Sequence, residues 1–163
     1  MWTQRLVFHA DDRKAGSPYG SPEYNMVNLP NLQNCDYVKV RVLEALVSCE
    51  IASGGDESFL ELSIVGKSPL NQTRASGTGS GKRKAELAHI PYTLKEQSQA
   101  SFYSLLNRDA EHDYLVFPKQ EFQDTNIKLE MVDGGDTGLI ELPSSGSFAN
   151  YTIVLSIEPI PRK

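Results

Sequence analysis

The sequence is poor in the residues and patterns that identify membrane, secreted and metal-dependent proteins. Its 163 residues include only two cysteines, three histidines and one tryptophan. No apolar run approaches the roughly 18 residues of a membrane-spanning helix, so we expect no membrane span. The first residues lack the apolar core and cleavage site of a secretory signal. Cys35 and Cys49 form no Cys-x-x-Cys motif, and we therefore expect two reduced thiols and no disulfide framework.

Basic residues are outnumbered in this chain. Lys and Arg total 16 against 21 Asp and Glu, which gives a net charge of −5. The basic footprint of a nucleic-acid-binding protein normally dominates its charge, so we expect no specific nucleic-acid partner. A local exception is the polar, glycine-rich stretch 67–84, which cannot bury enough apolar area to form a core. Its basic residues are candidate contacts to an acidic partner surface or to nucleic acid: Arg74, Lys82, Arg83 and Lys84.

The same glycine-rich stretch does not fit a phosphate-binding loop. Such a loop needs Gly, four residues and then Gly-Lys-Ser/Thr, because its backbone amides and lysine surround the phosphates. Here Gly81-Lys82 is followed by Arg83, and Ser76 stands where the first glycine is required. We therefore expect no nucleotide site at this loop.

Other enzymatic signatures are missing as well. The three histidines lie in different segments, so they form no local metal site: His9, His89 and His112. The acidic pairs at 11–12 and 133–136 fit turns better than calcium loops. No Gly-x-Ser-x-Gly motif is present. These observations predict a protein that is not an enzyme and that holds no cofactor or metal.

The stretch from Tyr37 to Ile51 predicts one long strand with an interruption. Its apolar residues fall first at even and then at odd positions: Val38, Val40 and Val42, followed by Leu43, Ala45 and Val47. Because strand side chains alternate between two faces, this change of phase predicts a bulge or bend near Val42 to Glu44. A helix is the alternative, since Val38, Val42 and Cys49 also fall near one helical face. The alternating valines favour the strand.

Short extended segments separated by glycine and proline continue along the chain. The pattern predicts further strands over 4–9, 24–29, 59–65, 85–90, 112–117, 126–132, 138–142 and 150–158. Residues 96–107 fit either a helix or a strand. We expect strands to end at Pro91 and at Pro159 with Pro161. About eight strands with little helix indicate an all-β, antiparallel sandwich or barrel. The turn-rich segment 1–23 predicts an N-terminal arm and connector, and 24–163 a single domain.

The order of these features resembles a family of viral proteins. The relevant stretches are Arg5-Leu-Val-Phe-His-Ala-Asp-Asp-Arg13-x-x-Gly16, the segment 24–30, Val38-Lys-Val-Arg-Val-Leu-Glu-Ala45, and the closing strands at 126–134 and 151–158. They resemble the single jelly-roll minor capsid and penton-type proteins of large eukaryotic double-stranded DNA viruses and polinton-like elements. The resemblance implies an antiparallel single jelly-roll β-sandwich of two sheets, without a cofactor.

The resemblance also implies a function in the virion. We expect a capsid vertex subunit of penton type, made in the host cytoplasm, that assembles with itself as a pentamer and with the major and minor capsid proteins. A minor capsid cement protein between the major capsomers is the alternative within the same class. A lectin-like or receptor-binding jelly-roll module is the alternative from another class, and a cupin-type metal enzyme is disfavoured by the scattered histidines. If 1–23 is an arm, deleting residues 1–19 should leave the domain folded but impair assembly.

Overall fold

The computed structural model describes residues 3–26, 32–50, 59–72, 84–95, 101–107, 113–133, 139–142 and 150–162. These residues form nine strands and two single-turn 3-10 helices, Ala10–Asp12 and Lys119–Phe122, so the all-β prediction is confirmed. The strands are β1 Gln4–His9, β2 Glu23–Asn25, β3 Cys35–Cys49, β4 Phe59–Val65, β5 Lys84–Lys95, β6 Ser101–Leu106, β7 Leu115–Pro118, β8 Asn126–Asp133 and β9 Tyr151–Pro161. Neither helix in this part of the chain is long enough to cross a membrane.

The strands form one antiparallel sheet that curls towards closure. Its order is β1-β9-β3-β6-β5-β4-β8-β2, and β7 pairs beside β3. The end strands β1 and β2 approach each other through side chains. The Tyr24 hydroxyl of β2 donates to the His9 carbonyl at the end of β1 over 2.9 Å. The Tyr24 ring also meets Phe8 edge to face at a centroid distance of 5.0 Å. The antiparallel, barrel-like arrangement agrees with the sequence prediction.

The long strand β3 runs through the middle of the first half of this sheet. One of its edges pairs with β9 from Cys35 to Val47, and the other pairs first with β7 and then with β6. The register with β9 shifts between Val42 and Glu44, which leaves Leu43 as the extra residue of a bulge. Buried positions accordingly change from even to odd numbers along the strand. The predicted bulge is confirmed, and the helical alternative for this stretch is wrong.

Prolines do not end two of the strands where the sequence predicted. β5 continues through Pro91, which is the point where its partner changes from β4 to β6. β9 continues through Pro159 and Pro161. β9 pairs with β1 only as far as Ile157. The prolines lie beyond that point, where no carbonyl of β1 needs an N–H donor from β9. The prediction that these prolines terminate strands is therefore wrong.

Several other boundaries differ from the sequence predictions. Residues 96–107 were predicted to be either a helix or a strand. Ser101–Leu106 is a strand, so the strand alternative is correct for the described part of that range. Leu139 and Glu141 make only isolated bridges, so no strand forms over the described part of 138–142. The strand expected from His112 begins at Leu115 because its pairing with β3 begins there.

The N-terminal segment belongs to the fold over its described residues. β1 pairs with β9 from Gln4 to His9, and Leu6 and Phe8 are buried. Further along, the Tyr19 hydroxyl donates to the Ser48 carbonyl over 2.6 Å. An arm extending from the domain over 1–23 is therefore not what these residues form, because their apolar side chains fill the core.

One buried cluster receives side chains from all nine strands. Its largest fully buried side chains include Tyr103, Tyr151, Phe8, Phe117, Leu60, Leu62 and Ile64. Cys35 and Cys49 are buried in it as free thiols, as the sequence predicted.

Candidate functional site

Of the four basic residues singled out in the sequence, only Lys84 lies within the described residues. Arg74, Lys82 and Arg83 lie outside them. Lys84 begins β5, and its Nζ contacts Oε1 of Glu130 on β8, with side chains only 15% and 11% exposed. This ion pair links β5 to β8, which lie on either side of β4 in the sheet. Because its ammonium group is already paired, Lys84 offers little charge to an external partner.

A shallow groove lies on the outer face of β9, β3, β6 and the end of β5. It has a volume of about 490 Å³, which is within the range of ligand-binding clefts in proteins. Its outward-facing lining includes Leu46, Ser48, Thr93, Phe102, Ser104 and Thr152. All are uncharged, so the described part of the groove is neutral and largely apolar.

Strand register places these side chains on one surface. Leu46 of β3 pairs with Thr152 on one side and Ser104 on the other, and Thr152 pairs with His9 of β1. The next row joins residues of the same four strands: Val7, Val154, Glu44 and Leu106. Because the bulge at Leu43 reverses the facing of β3, Glu44 and Leu46 point outward together. The groove therefore depends on the irregular point of β3.

Hydroxyl groups supply the polar atoms of this surface. Thr93 and Ser104 share a hydrogen bond of 2.7 Å, and the Thr152 hydroxyl lies 3.0 Å from Nδ1 of His9. Ser48 Oγ is buried and has no hydrogen-bond partner among the described residues. A buried hydroxyl without a partner costs free energy. An incoming hydrogen-bonding group at this end of the groove would remove that cost.

Exposed apolar side chains extend the surface beyond the groove. Val7, Leu46 and Leu106 are 50%, 49% and 60% exposed. They stand on β1, β3 and β6, which together with β9 are four consecutive strands of the sheet, in the two rows described above. Grouped apolar exposure of this kind is typical of surfaces that contact another molecule. We call the groove and these three residues the groove face.

A cluster of buried tyrosines supports the groove face from behind. The Tyr24 and Tyr151 hydroxyls are 2.7 Å apart, and the Tyr19 ring meets Tyr151 edge to face at 5.1 Å. Burial raises the pKa of all three phenols above its ordinary value. They therefore remain neutral at physiological pH, where they act as hydrogen-bonded structural groups that hold the connector 10–22 against β3 and β9.

The described histidines occupy separate places. His9 is at the edge of the groove face, whereas His89 lies on the other half of the sheet beside Glu61 and Glu86. His112 lies outside the described residues. Sequence spacing did not reveal the group around His89, because its members come from two strands and are brought together by their pairing. The groove face was missed for the same reason, although Leu46 interrupts the alternation of β3 and was a visible signal.

Comparison of the sequence with protein-family models and with curated proteins finds no match.

Proposed function

We propose that this chain is a structural subunit of a virus capsid, folded as a single jelly roll, with a vertex role of penton type. The order of the strands carries the fold part of this proposal. When β7 is set aside and the remaining strands are counted in chain order, the first pairs with the last, the second with the seventh, the third with the sixth and the fourth with the fifth. These are the pairs of one long eight-stranded hairpin.

Rolling up that hairpin adds a second set of pairs. They join β9 to β3, β6 to β5 and β4 to β8, and all three occur in this sheet. In a jelly roll, hairpin pairs and rolled pairs together form two interlocked Greek keys, and this architecture is used by viral capsid proteins, lectins and cupins. Fold alone does not choose among these functions.

The groove face supports a role in assembly. A shell subunit must bury apolar surface against its neighbours, and Val7, Leu46 and Leu106 present such surface on one side of the sheet. The resemblance of the N-terminal and closing segments to penton-type proteins favours contacts among copies of this chain. A cement role beneath the major capsomers would use the same surface with a different neighbour.

The mass of the purified full chain in solution tests the vertex role. We expect a pentamer by native mass spectrometry and by sedimentation. Leu46→Glu and Leu106→Glu should each shift the equilibrium to monomer, because a charge would be buried at the contact. Leu70→Glu is the matched control, since Leu70 is 59% exposed and is not part of the groove face. A wild-type monomer at every concentration would contradict the vertex role and favour the cement role.

A binding module is the second candidate, and the neutral groove favours it. Its hydroxyl groups at Ser48, Thr93 and Ser104 would suit an uncharged ligand such as a sugar. Binding of the isolated protein to a glycan array, lost in Phe102→Ala, would support a lectin-like function. An array without signal would count against it.

A further inference from the structure

Three side chains with metal-binding atoms converge on the outer face of β4 and β5. They are Glu61 of β4 and Glu86 and His89 of β5, and one donor atom from each lies within 4.8 Å of the other two. Glu61 and His89 are direct partners across the two strands. The group is on the second half of the sheet, away from the groove face, and is independent of the proposed function.

A bulge creates this convergence. Residues three apart on a regular strand point to opposite faces, so Glu86 and His89 would normally be separated by the sheet. Leu62 pairs with Ala88 and Ser63 pairs with Glu86, which leaves Leu87 as an extra residue on β5. The extra residue reverses the facing and brings Glu86 and His89 to the same side. Bulges that redirect side chains in this way are common beside functional sites.

Neighbouring groups hold the three side chains in place. The His89 ring packs on Phe59 at a centroid distance of 4.5 Å, and the Ser63 hydroxyl donates to Glu61 over 3.2 Å. The backbone of Glu86 is fixed on both sides by Gln72, whose Oε1 accepts from the Glu86 N–H at 3.0 Å and whose Nε2 donates to its carbonyl at 2.9 Å. Such outer contacts orient ligands in metal sites.

Electrostatics favour a cation between these groups. Glu61 and Glu86 place two carboxylates on adjacent strands, and like charges at such positions repel. Lys84 lies two residues before Glu86 on the same strand, but its ammonium group is paired with Glu130. His89 Nε2 lies 2.7 Å from Oε1 of Glu86. A metal ion that replaced this contact would bind both carboxylates and the imidazole together.

We infer that Glu61, Glu86 and His89 form a binding site for a divalent transition metal of the zinc class. An imidazole nitrogen with two carboxylate oxygens suits zinc, whereas calcium and magnesium prefer oxygen ligands alone. Bonds of about 2.1 Å in a tetrahedron place donor atoms about 3.4 Å apart. Rotation of the side chains can bring the donor atoms from within 4.8 Å of one another to this separation. The side chains of His89 and Glu86 can rotate because they are 53% and 30% exposed. Three protein ligands leave a fourth position for water or for a donor from another molecule.

Zinc titration of the chelator-treated full chain tests this site. By calorimetry and elemental analysis we expect one zinc ion per chain, with no displacement by excess calcium. Glu61→Gln and His89→Gln should each weaken zinc binding by at least about tenfold. His9→Gln is the matched control, because His9 lies on the other half of the sheet and bonds Thr152. It should bind zinc as the wild type does.

A second readout separates the site from any effect on folding. Cobalt bound at this site should give a visible d–d absorption spectrum that is changed in Glu61→Gln while the circular dichroism spectrum is unchanged. The site is overturned if zinc fails to saturate at one ion per chain. It is equally overturned if the folded Glu61→Gln and His89→Gln chains bind as tightly as the wild type, or if His9→Gln weakens binding as much as His89→Gln.

Discussion

At the scale of single residues, the hydroxyl group of Tyr24 links the two ends of the barrel-like sheet. It contacts the Tyr151 hydroxyl at 2.7 Å and the His9 carbonyl at 2.9 Å, so β2, β9 and the end of β1 meet at one atom. The hydrogen bond from the Tyr19 hydroxyl to the Ser48 carbonyl attaches the connector 10–22 to the same region. The sequence showed seven tyrosines but not which of them are buried, because burial depends on which strands meet.

These buried groups predict a stability that falls in alkali. Burial raises the pKa of Tyr19, Tyr24 and Tyr151 above 10.0 and that of the Cys49 thiol from 9.0 to about 12. Above about pH 9 the unfolded chain therefore loses protons that the native chain keeps. The contribution of these four groups to the unfolding free energy should be constant below that pH and fall through pH 9 to 12, by up to about 1.4 kcal/mol per pH unit for each group.

Urea unfolding across this pH range measures the effect. Phenolate absorbance from the three buried rings should appear together with the loss of structure. Tyr37→Phe, which alters an exposed ring, should leave the pH dependence unchanged. A native state of constant stability up to pH 12 would contradict the role given to the buried tyrosines.

Two glycines in the connector provide a matched pair of substitutions. A Cβ at Gly20 would lie 2.5 Å from the Ile140 carbonyl oxygen and 2.9 Å from its nitrogen, and backbone cannot move aside as a side chain can. Gly16 has open space around it but a φ of +83°. Gly20→Ala should cost about 3 kcal/mol from steric overlap, and Gly16→Ala about 1 kcal/mol from backbone strain. Chemical denaturation should show a larger loss of unfolding free energy for Gly20→Ala than for Gly16→Ala. A larger loss for Gly16→Ala would contradict the close packing of Gly20 on Ile140.

At the scale of elements, β3 is the strand on which the groove face and the core both depend. Its bulge at Leu43 lets even positions face the core before it and odd positions after it. If Leu43 were instead paired regularly with β9, Ala45, Val47 and Cys49 would face solvent. A single extra residue therefore decides which side of the strand is buried.

Deleting Leu43 should leave the core face of β3 intact. The deletion joins Val42 directly to Glu44, and these two already pair with the consecutive residues Leu155 and Val154 of β9, so regular alternation keeps Ala45, Val47 and Cys49 facing the core. Leu43→Ala keeps the bulge, and its side chain is only half-buried, so it should cost about 1 kcal/mol. Reaction of the Cys49 thiol with a thiol reagent should be slow in both chains. Rapid reaction in the deletion would mean that Leu43 is not the extra residue that sets the register.

Alternation within single strands was readable from the sequence, whereas relations between strands were not. The alternation of Val38, Val40 and Val42 predicted β3, and the shift of apolar residues to odd positions after Val42 predicted its bulge. The bulge at Leu87 was missed because Ala85 to Ile90 is too short for its change of apolar positions from odd to even to stand out, and it is this bulge that joins Glu86 to His89. Pro91 was misread because a proline that interrupts one ladder can also mark the point where a strand takes a new partner.

At the scale of the whole molecule, the near closure of the sheet leaves β1 and β2 as its end strands. Their position could not be deduced from local pattern, since strands far apart in the chain are neighbours in the sheet. β1 covers one edge of β9 along six residue pairs. Closure through Tyr24 limits how much unpaired edge the molecule presents to solvent.

Removing β1 should therefore unfold the protein rather than leave a folded domain without an arm. A chain beginning at residue 10 loses the buried side chains of Leu6 and Phe8, a loss of about 3 to 6 kcal/mol. That is a large part of the roughly 5 to 15 kcal/mol that stabilises a domain. The same deletion exposes the edge of β9 from Thr152 to Ile157, which favours aggregation.

Circular dichroism and solubility of this truncated chain check the expectation, with a chain beginning at residue 4 as the control. The control keeps every pair between β1 and β9 and should unfold like the full chain. A soluble, cooperatively folding chain without residues 1–9 would show that the barrel stands without β1 and would restore an arm-like role for the segment. If instead it aggregates, loss of assembly in N-terminal truncations says nothing about the proposed capsid contacts, and only substitutions on the groove face can test that proposal.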